Sequence, residues 1–153
     1  MTTPAADAAT ILVVDDDDAS RDIAARMLEG AGYRTRRAES GAECLRIVES
    51  GPIDLILLDV MMPGMDGFDV CAALRAAGKR IPVILLTAKD DTDTRLEGMH
   101  QGVSEFLTKP INRHELLARV RAQIHILELA RQLEVVEGNV QALRQRPRLG
   151  PRD

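Results

Sequence analysis

Four short stretches of this chain could do chemistry together. Asp15-Asp16 follows Thr10-Ile11-Leu12-Val13-Val14, Asp59 follows Ile53-Asp54-Leu55-Ile56-Leu57-Leu58, Thr87-Ala88 follows Ile81-Pro82-Val83-Ile84-Leu85-Leu86, and Lys109-Pro110 follows Ser104-Glu105-Phe106-Leu107-Thr108. Short apolar runs bounded by turn signals suit the interior of a parallel sheet, whose ligands collect outside the carboxyl ends of the strands. Each polar residue has an ordinary explanation when taken singly. The acids could cap a helix, Asp59 could start a turn, Thr87 could be a core hydroxyl and Lys109 half of a structural ion pair. Their recurrence at four strand ends favours one shared pocket. Three carboxylates within about 4–5 Å repel by roughly 1 kcal/mol per pair in water and several-fold more at an effective dielectric near 20, so the pocket requires a cation. An all-oxygen donor set without His or Cys suits a hard ion, and Mg²⁺ is the common choice where a phosphoryl group is the other ligand. Lys109 supplies a compact second cation able to pair with a phosphate. A carboxylate held between a divalent cation and an ammonium is suited to attack phosphorus and become an acyl phosphate. Thr87 can donate a hydrogen bond to a phosphoryl oxygen, and Ala88 leaves room for the group to enter.

The elements that must position these residues follow from the patterning. Ile23, Ala24, Met27 and Leu28 give helix one an inner face, with Asp17 and Asp18 as caps and Gly30-Ala31-Gly32 as its stop. Tyr33-Arg34-Thr35-Arg36-Arg37 is a strand too polar to be buried on both faces, hence an edge strand protected by charge. Ser40-Gly41-Ala42-Glu43 has capping-box spacing and opens helix two, whose Cys44, Leu45 and Val48 point inward before Gly51-Pro52. Helix three runs from Gly67 to about Ala77 with Phe68, Val70, Cys71 and Leu74 apolar; helix four spans roughly Asp91 to His100; a long last helix begins near Asn112. Five strands alternating with five helices predict an α/β fold with a parallel sheet, because parallel strands need crossovers. In the flavodoxin-like, doubly wound order 2-1-3-4-5 the second strand lies at an edge, where the polar strand belongs, and strands one, three, four and five become neighbours.

Composition narrows the function classes. A formal net charge of −4 on 153 residues gives no general attraction to nucleic acid or to an anionic membrane. Cys44 and Cys71 lack CxxC spacing and a partnering His cluster, so they read as small core residues of a reducing compartment. No run approaches the roughly 18 apolar residues of a membrane span, and Met1 to Ala9 lacks the pattern of a signal peptide, so a cytoplasmic location is expected.

The motifs Val13-Val14-Asp15-Asp16, Leu58-Asp59-Val60-Met61-Met62-Pro63-Gly64-Met65-Asp66-Gly67, Thr87-Ala88 and Lys109-Pro110 resemble the receiver domain of two-component response regulators over residues 10–125. The resemblance implies that Asp15 and Asp16 hold Mg²⁺ with Asp59 and the Met61 backbone carbonyl. It implies that Asp59 accepts phosphoryl from a histidine kinase or histidine phosphotransfer protein, and that Lys109 contacts the phosphoryl group. It also implies a switch in which Thr87 moves toward the phosphate and Phe106 turns inward, remodelling the face made by helix four, strand five and helix five. Phe106 stands where many relatives have Tyr, so a hydroxyl contact is absent. The Lys109-Pro110 bond is expected to be cis. Met61 and Lys89 occupy positions linked to dephosphorylation rate, and neither side chain can orient an attacking water as an acceptor. An enzyme alternative, a haloacid-dehalogenase-like phosphatase, needs a second acid where Met61 stands. A receiver-like binding module that is never phosphorylated is a third reading, opposed by the complete set of acids, Thr87 and Lys109.

Beyond His125 the helical pattern continues through Ile126, Leu129, Leu133, Val136, Val140 and Leu143, preceded by Ala122. That alternation of three and four is a heptad seam and predicts a coiled-coil extension over 126–145 that joins two copies. A single amphipathic helix folded back on its own domain is the alternative, and Gly138-Asn139 could stop the helix early. Residues 1–9 are expected to be a disordered leader and 146–153 a disordered tail, and the stretch after His125 is too short for a winged-helix DNA-binding domain.

Overall fold

The computed structural model describes residues 8–88 and 92–145. Its strands are β1 (Thr10–Val14), β2 (Arg34–Ala38), β3 (Leu55–Asp59), β4 (Val83–Thr87) and β5 (Glu105–Thr108). They alternate with α1 (Asp18–Gly30), α2 (Gly41–Ser50), α3 (Gly67–Ala76), α4 (Thr92–His100) and α5 (Arg113–Arg144). All pairings are parallel and the sheet order is β2-β1-β3-β4-β5, the expected flavodoxin-like arrangement. The charged strand β2 is indeed an edge, with only Ala38 of it buried.

Alternation along the strands sorts the core into two layers. Ile11, Val13, Leu55, Leu57, Ile84, Leu86 and Leu107 meet α1 and α5 on one side. On the other side Leu12, Val14, Ile56, Leu58, Val83 and Leu85 meet α2 and α3. This period of two decides where the polar residues at the strand ends point.

Local departures from the sequence expectation have identifiable causes. Ile23 is 52% exposed, and Ala25 takes its place in the α1 interface beside Ala24 and Leu28. The buried stripe of α1 is thus made of two small residues and one leucine. At α2 the Ser40 side chain accepts from the Glu43 amide, but Glu43 reaches the Glu39 amide, so the predicted box is half formed. The reciprocal box lies at α3, where Asp66 and Asp69 each accept the other's backbone N–H. Ile81 and Pro82 precede β4, and Ser104 precedes β5. Ala9, assigned to the leader, packs against the α1/α5 layer and accepts from the Arg34 amide at 3.0 Å. The rest of the leader through residue 7, Lys89 and the tail from 146 lie outside the described residues.

The last helix is continuous for 32 residues and passes through Gly138-Asn139 without a break. Asn112 caps it by accepting from the Glu115 amide. Only Leu116, Leu117, Val120 and Ile124 are buried, all in its first half.

Candidate functional site

Register brings the strand ends level. Val14 pairs with Leu58, so the next residues, Asp15 and Asp59, emerge side by side. Asp59 pairs with Leu86 and Thr87 with Thr108, which sets Thr87 one step and Lys109 two steps further along the same edge. Asp15, Asp59 and Lys109 continue the alternation of Val13, Leu57 and Leu107, and so converge on one side. Thr87 continues Val83 and Leu85, the face that also holds Phe106.

The geometry is that of a crowded acidic pocket. The Lys109 ammonium lies 3.1 Å from an oxygen of Asp15 and 3.1 Å from an oxygen of Asp59. The second oxygen of Asp15 accepts from the Asp17 amide at 3.0 Å, and that of Asp59 from the Met61 amide at 3.3 Å. Asp15 and Asp59 are buried while Asp16 is exposed, yet one oxygen of each lies within 4.8 Å of the others. Asp15, Asp16, Asp17, Asp59, Met61, Ala88 and Lys109 line a cleft of about 450 Å³. Burial pushes the Asp59 carboxyl above its usual range; the Lys109 hydrogen bond opposes that shift and the Asp15 charge reinforces it. Burial pulls Lys109 the other way, but the hydrogen bonds it donates to Asp59 and Asp15 outweigh that and leave the ammonium above its ordinary value.

Three carboxylates against one lysine leave the pocket short of positive charge. The donor set is oxygen only, which fits a hard divalent cation such as Mg²⁺. The Thr87 hydroxyl oxygen is buried without a hydrogen-bond partner, the one such side-chain atom among the described residues. Buried polar groups are ordinarily satisfied, so this hydroxyl is suited to an acceptor that arrives from outside. The Lys109-Pro110 bond is cis, as expected.

Several contributors were not legible in the sequence. Arg21 donates to the Asp15 backbone oxygen at 2.8 Å and secures the turn between β1 and α1. A Cβ on Gly67 would lie 2.8 Å from the Asp59 backbone oxygen, so the Pro63–Gly67 loop can fold back under the acceptor strand only with glycine there. Gly98 does the same for Phe106, whose ring edge would stand 2.6 Å from an added Cβ. Arg95 lies over the Phe106 ring, 5.9 Å from its centroid, and donates to the Thr108 hydroxyl at 2.8 Å. A glycine in the first turn of a helix after an acid-bearing strand was the available signal for Gly67; nothing in the sequence flagged Arg21, Arg95 or Gly98.

The chain thus presents an open parallel sheet with an acid-and-lysine pocket at its carboxyl edge, and comparison with known proteins supplies the family. The family model for the response regulator receiver domain matches residues 11–121. Response regulator MprA of Mycolicibacterium vanbaalenii is 45% identical over 112 residues, covering 73% of this chain and 48% of the relative. MprA of Mycobacterium ulcerans is 43% identical over 119 residues, covering 78% and 51%. This chain therefore spans about half the length of these curated relatives. Among solved structures, a putative response regulator from Chloroflexus aurantiacus superposes with a TM-score of 0.74 at 36% identity, covering 77% of this chain and 98% of that one. Chemotaxis protein CheY4 of Vibrio cholerae gives 0.72 at 32% identity, covering 75% and 98%. The chain belongs to the response regulator receiver domain family, the phosphoacceptor modules of two-component signalling. No helix among the described residues is long and apolar enough to cross a membrane.

Proposed function

We propose that Asp59 is the phosphoacceptor of this receiver, with Asp15, Asp16, Asp59 and the Met61 backbone carbonyl holding Mg²⁺. The observation that carries the reading is the Lys109 ammonium set 3.1 Å from both Asp15 and Asp59 in a cleft lined by a third acid. A bound Mg²⁺ would neutralise carboxylate and phosphoryl charge. A carboxylate oxygen of Asp59 attacks the phosphorus of a phosphohistidine on a histidine kinase or histidine phosphotransfer protein. The P–N bond breaks, its electron pair stays on the imidazole nitrogen, and that nitrogen takes up a proton. Catalysis is positioning and charge neutralisation, since phosphoryl transfer asks little covalent help of a protein. Lys109 exchanges a carboxylate contact for a phosphoryl oxygen, and the Thr87 hydroxyl donates its unused hydrogen bond to another.

Thr87 and Phe106 share one face, so movement of Thr87 toward the phosphoryl group opens room for the Phe106 ring. The ring is clamped by Gly98 and Arg95, and its inward turn would remodel the face formed by α4, β5 and α5. The module is a cytoplasmic signalling protein rather than a turnover enzyme, and it forms a homodimer through the α5 extension. The phosphatase reading is not favoured, because Met61 stands where that mechanism needs a second acid. Incubation with acetyl phosphate and Mg²⁺ should add one phosphoryl group to the wild type by mass and none to Asp59→Asn. Absence of the adduct on wild type would refute the assignment.

Met61 is 74% exposed at the lip of the cleft and offers no effective hydrogen bond to an attacking water. The phosphorylated protein should therefore persist for minutes or longer when no phosphatase is present. Decay of the adduct within seconds, followed by mass measurement in Mg²⁺, would overturn that expectation.

A further inference from the structure

The α5 helix carries two apolar stripes on opposite sides. Leu116, Leu117, Val120 and Ile124 are buried against the sheet, whereas Ile126, Leu129, Leu133, Val136, Val140 and Leu143 are between 39% and 60% exposed. Arg131 continues the first stripe and shows which way it faces, since it donates to Asp54 at 2.7 Å at the amino end of β3. At about 100° per residue, Leu129 and Leu133 each stand about 160° around the helix from Arg131. From Leu129 onward the second stripe thus turns away from the receiver that bears it, while Ile126 borders a groove with Ile81 and Pro82. Among the described residues Leu129, Leu133, Val136, Val140 and Leu143 all stay exposed.

We propose that this stripe pairs with the same stripe of a second copy as a parallel, in-register, two-stranded coiled coil. The inference rests on the homodimer reading above and adds its orientation and register. Ile126, Leu133 and Val140 fall at a positions; Ala122, Leu129, Val136 and Leu143 fall at d. β-Branched residues at two of the a positions and Leu at two of the d positions are the pattern that favours two parallel strands. The flanking positions agree. In parallel register Gln132 faces Glu137 of the second copy and Asn139 faces Arg144, so each e/g charge meets a neutral amide and no like charges are opposed. The small Ala122 lets the helices approach where they leave the two receivers. Arg131 and Gly138 fall at the f position, furthest from the partner helix, where a contact to the receiver and a helix-weakening glycine do not disturb the seam.

Sedimentation of the full chain should give a dimer. Leu129→Glu combined with Leu133→Glu should raise the dissociation constant about a hundredfold or more, while acceptance of phosphoryl from acetyl phosphate stays intact and shows that the receiver is folded. Leu143→Cys should cross-link to itself under a mild oxidant. The native Cys44 and Cys71 are buried, with thiols pushed up to about 12 and about 11 by burial, and will not compete. A monomeric wild type, or a dimer indifferent to the double Glu substitution, would overturn both the dimer through α5 and its orientation. A dimer that the double substitution dissociates, but in which Leu143→Cys cross-links only to Ala122→Cys chains, would overturn the parallel register alone.

Discussion

Asp54 and Asp59 flank the same buried strand and have opposite fates. Asp54 precedes β3, where one oxygen accepts from the Thr10 amide at 2.8 Å and the other from Arg131 at 2.7 Å. That is one acid against one guanidinium, with both oxygens satisfied. Asp59 ends the strand in a group of three acids, and it shares the one Lys109 ammonium with Asp15. The same residue type is a fastener where its charge is balanced and a reactive group where it is not. Burial alone does not make the difference, because the Asp54 side chain is itself only 16% exposed.

The largest test of this contrast is Asp59→Asn. It should abolish phosphoryl acceptance completely and yet stabilise the metal-free protein by about 1 kcal/mol or more, since it relieves a buried, incompletely paired charge. Thermal unfolding in chelator measures the second effect, and a lower midpoint than wild type would break the comparison. Lys109→Ala should act oppositely, costing about 2–3 kcal/mol in the metal-free state, less than a fully buried pair because the ammonium is 32% exposed. Asp54→Ala should cost about 1–3 kcal/mol through two lost charge-assisted hydrogen bonds, one of them also an ion pair, and leave the rate of phosphorylation by acetyl phosphate unchanged.

The smallest expected effect is in the pH profile. The folded Asp59 carboxyl sits above its ordinary 3.8. Its contribution therefore favours the fold below that value and is lost as pH rises through the raised one. Metal-free wild type should lose stability relative to Asp59→Asn across that window. Lys109, raised above 10.5, contributes below that value and loses its contribution only at more alkaline pH. Denaturant titrations of both proteins from pH 4 upward check the sign, and a gap that narrows with rising pH would contradict it.

Much of the fold was readable because its signals are local. A polar β2 among apolar strands marked the edge, and acids, threonine and lysine at strand ends marked the pocket. Asp17 announced its helix by cap chemistry, and the start of the last helix near Asn112 followed from the pattern. Ile23 was misplaced because a helical repeat gives the apolar stripe without its exact angle to the sheet. The half-formed box at Ser40 shows the same limit, since Glu43 had a competing donor in Glu39. Gly98 looked like any helical glycine, and Gly67 carried only its place after an acid-bearing strand; each gives a clearance of under 3 Å, to Phe106 and to Asp59, which come from other elements.

By itself the sequence determined the alternating elements, the strand order and the residue types at the carboxyl edge, because hydrophobic period, turn residues and crossover rules operate within short stretches of chain. Tertiary structure alone decided that Asp15 and Asp59 both meet Lys109, that the Thr87 hydroxyl is left without a partner, and that Arg131 locks onto Asp54 so that the second stripe of α5 faces away from Leu129 onward. Those outcomes depend on distances between residues up to 94 positions apart, such as Asp15 and Lys109. Such distances are set by the packing of all five strands at once.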